Sequence, residues 1–358
     1  MDRSCGSGLS SRRRSCGRWF RVTIYAVFLL AGQCTATLLG RLYFDGGGDS
    51  MWVATLVQSA GFPLLFPFFW FFSSTKIALR RTPPPPSLPA LLGVYLALGL
   101  LLAGDNLLYS YGLLFLPLST YSLLCATQLV FTVLFSFLLN SQRLTPFVLN
   151  SVVLLTVSAS LLGLHAGGEV PPGGGKYAAG FLCTVGASAA YALYLALVQL
   201  SFDKLIKAPT GVLEMQVWPS FVASCACVVG VFGSGEWKGV GREMRGYRAG
   251  EVSYVMTLVW TAASWQVSSV GLLGLIQEVS SLFSNVVGTV GLPLVPALAA
   301  LFFHDRMDGV KGVAMALAVW GFLSYIYQTY LDGDDDGKTM PANEDGVETS
   351  GEAMAESC

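Results

Sequence analysis

The chain contains 358 residues, of which 53% are hydrophobic and only 12% are charged, and its formal net charge is −1. A soluble domain carries about 25% charged residues, so this composition cannot cover the surface of a water-soluble protein of the same length. It predicts a membrane protein and excludes a disordered chain and a coiled coil. Because no basic stripe is present to neutralise phosphates, it also excludes a nucleic-acid binder.

Apolar segments long enough to cross about 30 Å of hydrocarbon, roughly 20 residues of helix, recur along the chain. The segment from 88 to 139 is interrupted only by Asp105 and is too long for one helix, so Leu116-Pro117-Leu118 is predicted to divide it into two spans. Ten transmembrane helices are therefore predicted. They lie in Val22–Gly40, Met51–Phe72, Leu88–Leu139 (two spans), Thr145–Leu164, Tyr177–Leu200, Met215–Gly233, Val252–Leu275, Val279–Phe303 and Gly312–Leu331.

The distribution of Lys and Arg predicts that both termini are cytosolic, because basic residues are enriched in cytoplasmic connections. Residues 1–20 form an arginine-rich cytosolic segment before a retained first helix, and Pro83–Pro86 is predicted to be a stiff connector. The loop Ser234–Gly250 is an exception, since it places four basic residues on the far side. The acidic residues 332–358 are predicted to form a disordered tail.

The two halves of the chain resemble each other weakly. Gly112-Leu113-Leu114 and Gly271-Leu272-Leu273 each follow a polar stretch and precede a cluster of serines. We predict two five-helix repeats, 21–164 and 177–331, which insert with opposite topology because five is odd. The predicted fold class is thus all-α, with ten transmembrane helices in two inverted repeats, a plan typical of secondary transporters with a midplane substrate site. The alternative is a chance similarity between apolar hairpins.

Two carboxylates lie in apolar surroundings, Asp105 inside the third span and Glu278 in the joint between the eighth and ninth. Burial disfavours the charged form of a carboxylate, so either residue is a candidate for carrying a coupling proton. The alternatives are a structural bond between helices for Asp105 and an interfacial capping role for Glu278. No Lys or Arg lies deep inside a span, which predicts a neutral or weakly cationic cargo and argues against phosphorylated substrates.

Polar and aromatic side chains near the middle of the spans are candidates for substrate binding. A carboxamide offers a donor and an acceptor to the edge of a heterocycle, and an aromatic ring can stack on its face. The alternative is that membrane amides only join helices. The predicted binding residues are Gln33, Asn106, Tyr109, Gln128, Trp265, Gln266 and Asn285.

No motif for an enzyme, a metal or a cofactor is found. Both histidines, His165 and His304, lie at helix ends, and the eight cysteines lack metal-binding spacing and are interpreted as packing residues. We therefore predict no catalytic residues, no metal and no cofactor. A channel is a less favoured alternative to a carrier, because inverted repeats with broken polar helices are typical of alternating access.

Several long segments resemble the plant purine permease family of the drug/metabolite transporter superfamily. They are Asp105–Thr156 (DNLLYSYGLLFLPLST…), Glu214–Phe221 (EMQVWPSF), Val279–Gly312 and Trp320–Asp332 (WGFLSYIYQTYLD). The resemblance implies ten helices in an inverted arrangement, cytosolic termini, the plasma membrane, and proton-coupled uptake of adenine-like nucleobases and of cytokinins. The expected partners are a purine-like small molecule, protons and the lipid bilayer, with the oligomeric state open. The alternative is a related carrier of another neutral or cationic metabolite, such as a nucleoside, a vitamin or an alkaloid.

Overall fold

The computed structural model describes residues 4–67, 88–115, 118–141, 145–165, 174–206, 211–303 and 309–338. All regular elements in these ranges are helices, as the sequence predicts. They are α1 (Ser4–Asp45), α2 (Met51–Ala60), a 3₁₀ turn (Phe62–Leu65), α3 (Leu88–Phe115), α4 (Leu118–Asn140), α5 (Pro146–His165), α6 (Gly174–Lys204), α7 (Gly211–Ser234), α8 (Trp237–Gly246), α9 (Glu251–Glu278), α10 (Ser281–Phe303) and α11 (Gly309–Lys338).

Five helices in the described part of the chain are long and apolar enough to cross a membrane. They are Gly17–Asp45, Leu88–Gly112, Tyr177–Lys204, Gly211–Ser234 and Glu251–Glu278. Shorter apolar helices cover Met51–Leu65, Thr127–Asn140, Val148–Ser158 and Gly312–Tyr327. The predicted division of the long apolar segment is confirmed, since α3 ends at Phe115 and α4 begins at Leu118.

The second predicted span, Met51–Phe72, is not one continuous helix in its described part. α2 ends at Ala60, and a 3₁₀ turn with Pro63 in its first residues follows. Proline removes a backbone donor and disfavours helical geometry at the residue before it, which explains the break. At the same point Gly61 brings α2 against α9, because a Cβ there would lie 2.6 Å from the Ala262 carbonyl oxygen.

Three elements differ from the pattern of spans and connections expected from the sequence. α1 already begins at Ser4, so most of the separate segment 1–20 is helical, and α11 continues to Lys338, seven residues into the tail predicted to be disordered. Helix propagation adds a hydrogen bond for each residue fixed, which allows a stable span to extend into polar sequence. The loop Ser234–Gly250 contains the ten-residue helix α8. The connector Pro83–Pro86 and residues 339–358 lie outside the described residues.

α1 and α9 pack closely and antiparallel along most of their length. Arg21, near the start of the apolar span of α1, meets Glu278 at the end of α9, while Tyr43 near the end of α1 meets Tyr254 near the start of α9. Between these ends the backbones touch, because a Cβ on Gly271 would lie 2.4 Å from the Leu29 nitrogen. Small residues therefore set the distance between these helices, as is usual in membrane proteins.

The helices of the two halves interdigitate around one core. The larger contacts between the halves join α1 to α9 and α10, α2 to α7 and α9, α3 to α6 and α7, α4 to α6 and α10, and α5 to α11. The main hydrophobic cluster includes buried residues from both halves, such as Leu98, Leu155, Leu195 and Leu273. The two predicted repeats are thus not separate lobes, and any site between them is built from both.

A polar cluster at the opposite end from Arg21 holds α8 onto the connection between α1 and α2. Glu243 of α8 accepts hydrogen bonds from the hydroxyls of Tyr43 and of Tyr254, the latter at 3.3 Å. Ser50, which caps α2, donates to Glu236 Oε2 at 2.6 Å. The carboxylates therefore act as acceptors that join α8 to α1, α2 and α9 at this end.

Candidate substrate site

Three of the predicted binding residues form one chain of hydrogen bonds between α3, α4 and α10. The Tyr109 hydroxyl donates to Gln128 Oε1 at 3.2 Å, and Gln128 Nε2 donates to Asn285 Oδ1 at 2.7 Å. Asn285 Nδ2 then donates to Thr132 Oγ1, also at 2.7 Å. Ser188 of α6 lies 3.3 Å from the Tyr109 hydroxyl. We call Tyr109, Gln128, Thr132, Ser188 and Asn285 the amide network.

The amide network belongs to a row of polar side chains that lies between α4 and α10. One turn later on α4 and one turn earlier on α10, Ser136 Oγ and Ser281 Oγ are 3.2 Å apart, and both serines are fully buried. The backbone N–H of Ser281 donates to Gln199 Oε1 at 2.7 Å. Hydrogen bonds satisfy these buried groups, and they fix the register of the two helices where the halves of the chain meet.

Asp105 lies one helical turn before Tyr109 on α3, so both project from the same face toward α6. Its side chain is 2% exposed, and it is the only charged side chain classed as buried in the part of the chain whose burial is described. Its Oδ1 has no hydrogen-bond partner among the described residues. Tyr191 and Tyr194 of α6 lie within electrostatic range of it. A buried carboxylate without a neutralising cation is costly in its charged form.

Gln266 belongs to a second polar cluster, which joins α2, α7 and α9. Its Oε1 accepts from Gln216 Nε2 at 2.8 Å, and its Nε2 donates to the Ser59 carbonyl at 3.2 Å. Gln216 also donates to Ser220, and Ser224 donates to the Ser59 hydroxyl. No hydrogen bond among the described residues joins this cluster to the amide network, so Gln266 and Gln128 are not brought together.

Glu278 lies at the end of the bundle, away from both polar clusters. Its carboxylate binds the Arg21 guanidinium at 2.6 and 3.1 Å, and its backbone carbonyl accepts from Arg18 at 2.6 Å. Both carboxylate oxygens are thus occupied by a cation from α1. Glu278 anchors α1 to the end of α9, and its proposed role as a proton carrier stays a prediction.

The remaining predicted residues, Gln33, Asn106 and Trp265, do not join either hydrogen-bond network among the described residues. The Gln33 carboxamide packs against α10, about 3.4 Å from the Cβ position of Gly291. Asn106 and Trp265 are half-buried on α3 and α9, and neither forms a side-chain hydrogen bond within the described residues. Gln33 is therefore a neighbour of the Asn285 helix, whereas Trp265 has no described contact with Tyr109.

Sequence reasoning did not single out Thr132, Ser188 or Gln216. A usable signal was present for two of them, since Gln128, Thr132 and Ser136 recur every four residues on α4. Gln216 begins a similar stripe on α7 with serines four and eight residues later. Polar residues at this spacing share one helix face, which in an apolar helix must face other protein rather than lipid. Ser188 has one such neighbour, Thr184 four residues earlier on α6, and its contact with Tyr109 is what identifies it.

Comparisons with known proteins agree with one another. Residues 20–335 match the family model described as purine nucleobase transmembrane transport. The chain is 52% identical over 319 residues to purine permease 21 of Arabidopsis thaliana, covering 88% of this chain and 82% of that protein. It is 51% identical to probable purine permease 10 and 50% to probable purine permease 11 of the same plant, with similar coverage.

A solved crystal structure of another protein supports the fold. It superimposes with a TM-score of 0.54 at 18% identity and covers 85% of this chain and 97% of its own. At this identity the likeness concerns the fold alone. The match over nearly the whole helical region and the identities of about half with the Arabidopsis proteins establish that this chain is a multi-pass membrane protein of the purine permease family, a family of transporters and not of enzymes.

Proposed function

We propose that this protein is a proton-coupled carrier that takes up purine nucleobases such as adenine, together with related heterocycles including cytokinins. The observation that supports it most directly is the amide network, which joins Gln128 of the first half to Asn285 of the second at 2.7 Å. Carboxamides read the alternating donors and acceptors of a purine edge. A network shared by both halves is a suitable site for alternating access, since movement of one half against the other would open it to either side.

The packing of the helices supports the proposed ten-span inverted repeat. If α1 to α5 are exchanged with α6, α7, α9, α10 and α11 in that order, the major contacts map onto one another. The pair α1–α9 becomes α6–α3, α1–α10 becomes α6–α4, and α2–α9 becomes α7–α3, and each of these pairs is in contact. The pairs α5–α11, α4–α10 and α2–α7 map onto themselves. We infer that both termini are cytosolic and that the plasma membrane is the site of action.

The charges near the amide network suit an uncharged ring. Asp105 is the nearest buried charge on the described helices, and a phosphorylated cargo would need a buried cation instead. We propose that Asp105 binds the coupling proton, because its Oδ1 has no partner in the described residues and the Tyr109 end of the network lies one turn away. Protonation would then neutralise a buried carboxylate beside the substrate.

Uptake of labelled adenine in yeast lacking its own nucleobase transporters tests the substrate assignment. Gln128→Ala should raise the KM for adenine by about tenfold, since it removes the carboxamide proposed to bind the ring edge and leaves Asn285 Oδ1 without its donor. Val130→Ala, on the lipid-exposed side of the same helix, is the matched control and should leave KM unchanged. Saturable uptake of a nucleoside or alkaloid but not of adenine would favour the related metabolite carrier.

The proton assignment is tested by adenine uptake at several external pH values, with and without a protonophore. Asp105→Asn should reach the membrane but lose the pH dependence, because an amide keeps the shape and cannot release a proton. Asp203→Asn, an exposed acid at the end of α6, is the control and should keep it. Wild-type-like pH dependence in Asp105→Asn would reject Asp105 as the carrier. Uptake that neither saturates nor responds to the protonophore would favour a channel.

A further inference from the structure

The hydrogen bonds that link Thr132, Asn285 and Gln128 all run in one direction. The Thr132 hydroxyl donates its single proton to the backbone carbonyl of Gln128 at 2.9 Å, so its oxygen acts toward Asn285 as an acceptor. Asn285 Nδ2 donates to it at 2.7 Å, which turns Asn285 Oδ1 toward Gln128. Gln128 Nε2 must then face Asn285, and Gln128 Oε1 faces the hydroxyl of Tyr109. Thr132 therefore decides which end of the Gln128 carboxamide lies on which side.

Reversing the Gln128 carboxamide would disturb the whole chain of bonds. Its oxygen would face the oxygen of Asn285, and Asn285 could turn only if Thr132 withdrew its proton from the backbone carbonyl. The free energy of about one hydrogen bond thus favours this orientation of the carboxamide, which corresponds to an equilibrium ratio of about fivefold between the two orientations. Removing the Thr132 hydroxyl would remove this bias, because a methyl group neither donates nor accepts.

Burial separates the residues that can touch a ligand from those behind them. Thr132 is fully buried and Asn285 is 3% exposed, whereas Tyr109 and Gln128 keep accessible surface. A carboxamide nitrogen carries two N–H groups, and the second one on Gln128 has no partner within the described residues. Thr132 can therefore influence a ligand only through the two amides.

We propose that Thr132 is a positioning residue that fixes the polarity of the Gln128 carboxamide and thereby favours 6-amino purines over 6-oxo purines. The proposal rests on the proposed function. A 6-amino purine presents an acceptor, N1, beside its 6-amino donor, and this pair matches one N–H and the oxygen of a glutamine. A 6-oxo purine presents the reverse pair on the same edge, the O6 acceptor beside the N1–H donor, so it would match Gln128 only if the carboxamide could turn.

The test compares inhibition of labelled adenine uptake by unlabelled adenine and by hypoxanthine in the transport-deficient yeast. The measured quantity is the inhibition constant for hypoxanthine divided by that for adenine. A general loss of folded protein does not change this ratio. In Thr132→Val the ratio should fall about fivefold toward unity, since the carboxamide can then adapt to either ring. Thr132→Ser keeps the hydroxyl and should retain the wild-type ratio.

Ser136→Ala is the matched control, because it removes a hydrogen bond of the same helix pair one turn away without touching the amides. Its ratio should equal that of the wild type. An unchanged ratio in Thr132→Val at equal surface abundance would overturn the proposal. If Thr132→Val does not reach the membrane, Thr132→Val combined with Asn285→Leu removes the Asn285 nitrogen that the single variant leaves without an acceptor, and its ratio must fall as well.

The outcomes separate this inference from the function on which it rests. A wild-type protein that takes up neither purine would reject the proposed function and the inference together. A wild-type protein that prefers adenine, with the same preference in Thr132→Val and in the double variant, would reject the role of Thr132 and leave adenine transport intact.

Discussion

The contact between α1 and α9 should tolerate no side chain at Gly271. A Cβ built there lies 2.4 Å from the Leu29 nitrogen, 2.5 Å from the Tyr25 carbonyl oxygen and 3.0 Å from the Leu29 Cα. All three are backbone atoms of α1, which cannot rotate away as a side chain could. Gly271→Ala therefore requires the two helices to separate.

The size of the effect follows from these distances. Restoring ordinary contact at 3.4 Å or more requires α1 to move by about 1 Å, and a gap of that size forfeits a quarter to a half of each dispersion contact along the interface. Overpacking of this kind costs about 1–3 kcal/mol, against which the better helix propensity of alanine returns about 1 kcal/mol. Because the atoms in the way belong to the backbone, we expect the cost of overpacking to lie in the upper part of that range.

The measurement is the melting temperature of the purified protein in detergent, followed by fluorescence-detected size-exclusion chromatography. Gly93→Ala on α3 is the matched control, because a Cβ there has nothing within 4 Å. Gly93→Ala should leave the melting temperature unchanged or slightly raised, whereas Gly271→Ala should lower it by several degrees. Equal melting temperatures for the two variants would refute the assignment of this crossing as a backbone contact.

Two further predictions concern the ends of the α1–α9 pair. Arg21→Glu and Glu278→Arg should each lower the free energy of unfolding by about 0.5–1 kcal/mol, because like charges then meet. The double variant, in which the two charges are exchanged, should recover most of this loss. No recovery would mean that the pair does not interact. Glu243→Ala removes the acceptor of two tyrosine hydroxyls and should lower the free energy of unfolding by about 1–3 kcal/mol. Asp203→Ala, which removes an exposed acid at the end of α6, should have no measurable effect. Equal effects of the two acid variants on the melting temperature would contradict this account of α8.

Much of the candidate site was predictable from the sequence. Tyr109, Gln128 and Asn285 are polar residues in long apolar segments, and such residues must face protein or a cavity because lipid offers them no partner. That argument identifies them one at a time. It does not show that Gln128 and Asn285 bond to each other, since they are 157 positions apart in the chain.

The sequence does not distinguish polar residues that belong to different clusters in the folded protein. Gln266 and Gln128 looked equivalent in sequence, yet Gln266 bonds to Gln216 and the Ser59 carbonyl instead. Glu278 looked as buried as Asp105 because both lie in apolar sequence. Its pairing with Arg21 depends on the antiparallel packing of α1 and α9, which brings the start of one helix beside the end of the other.

The sequence alone determined that this chain is helical and membrane-embedded, because local composition and segment length set whether a backbone can be satisfied without water. It also determined the break before Leu118 and the absence of a deep cation from the proposed spans. Only the tertiary structure decided which polar residues share a network, that Thr132 bonds to Asn285, and that Glu278 is paired. These features depend on the register between distant helices, and side chains contribute to that register through long-range packing that no local pattern encodes.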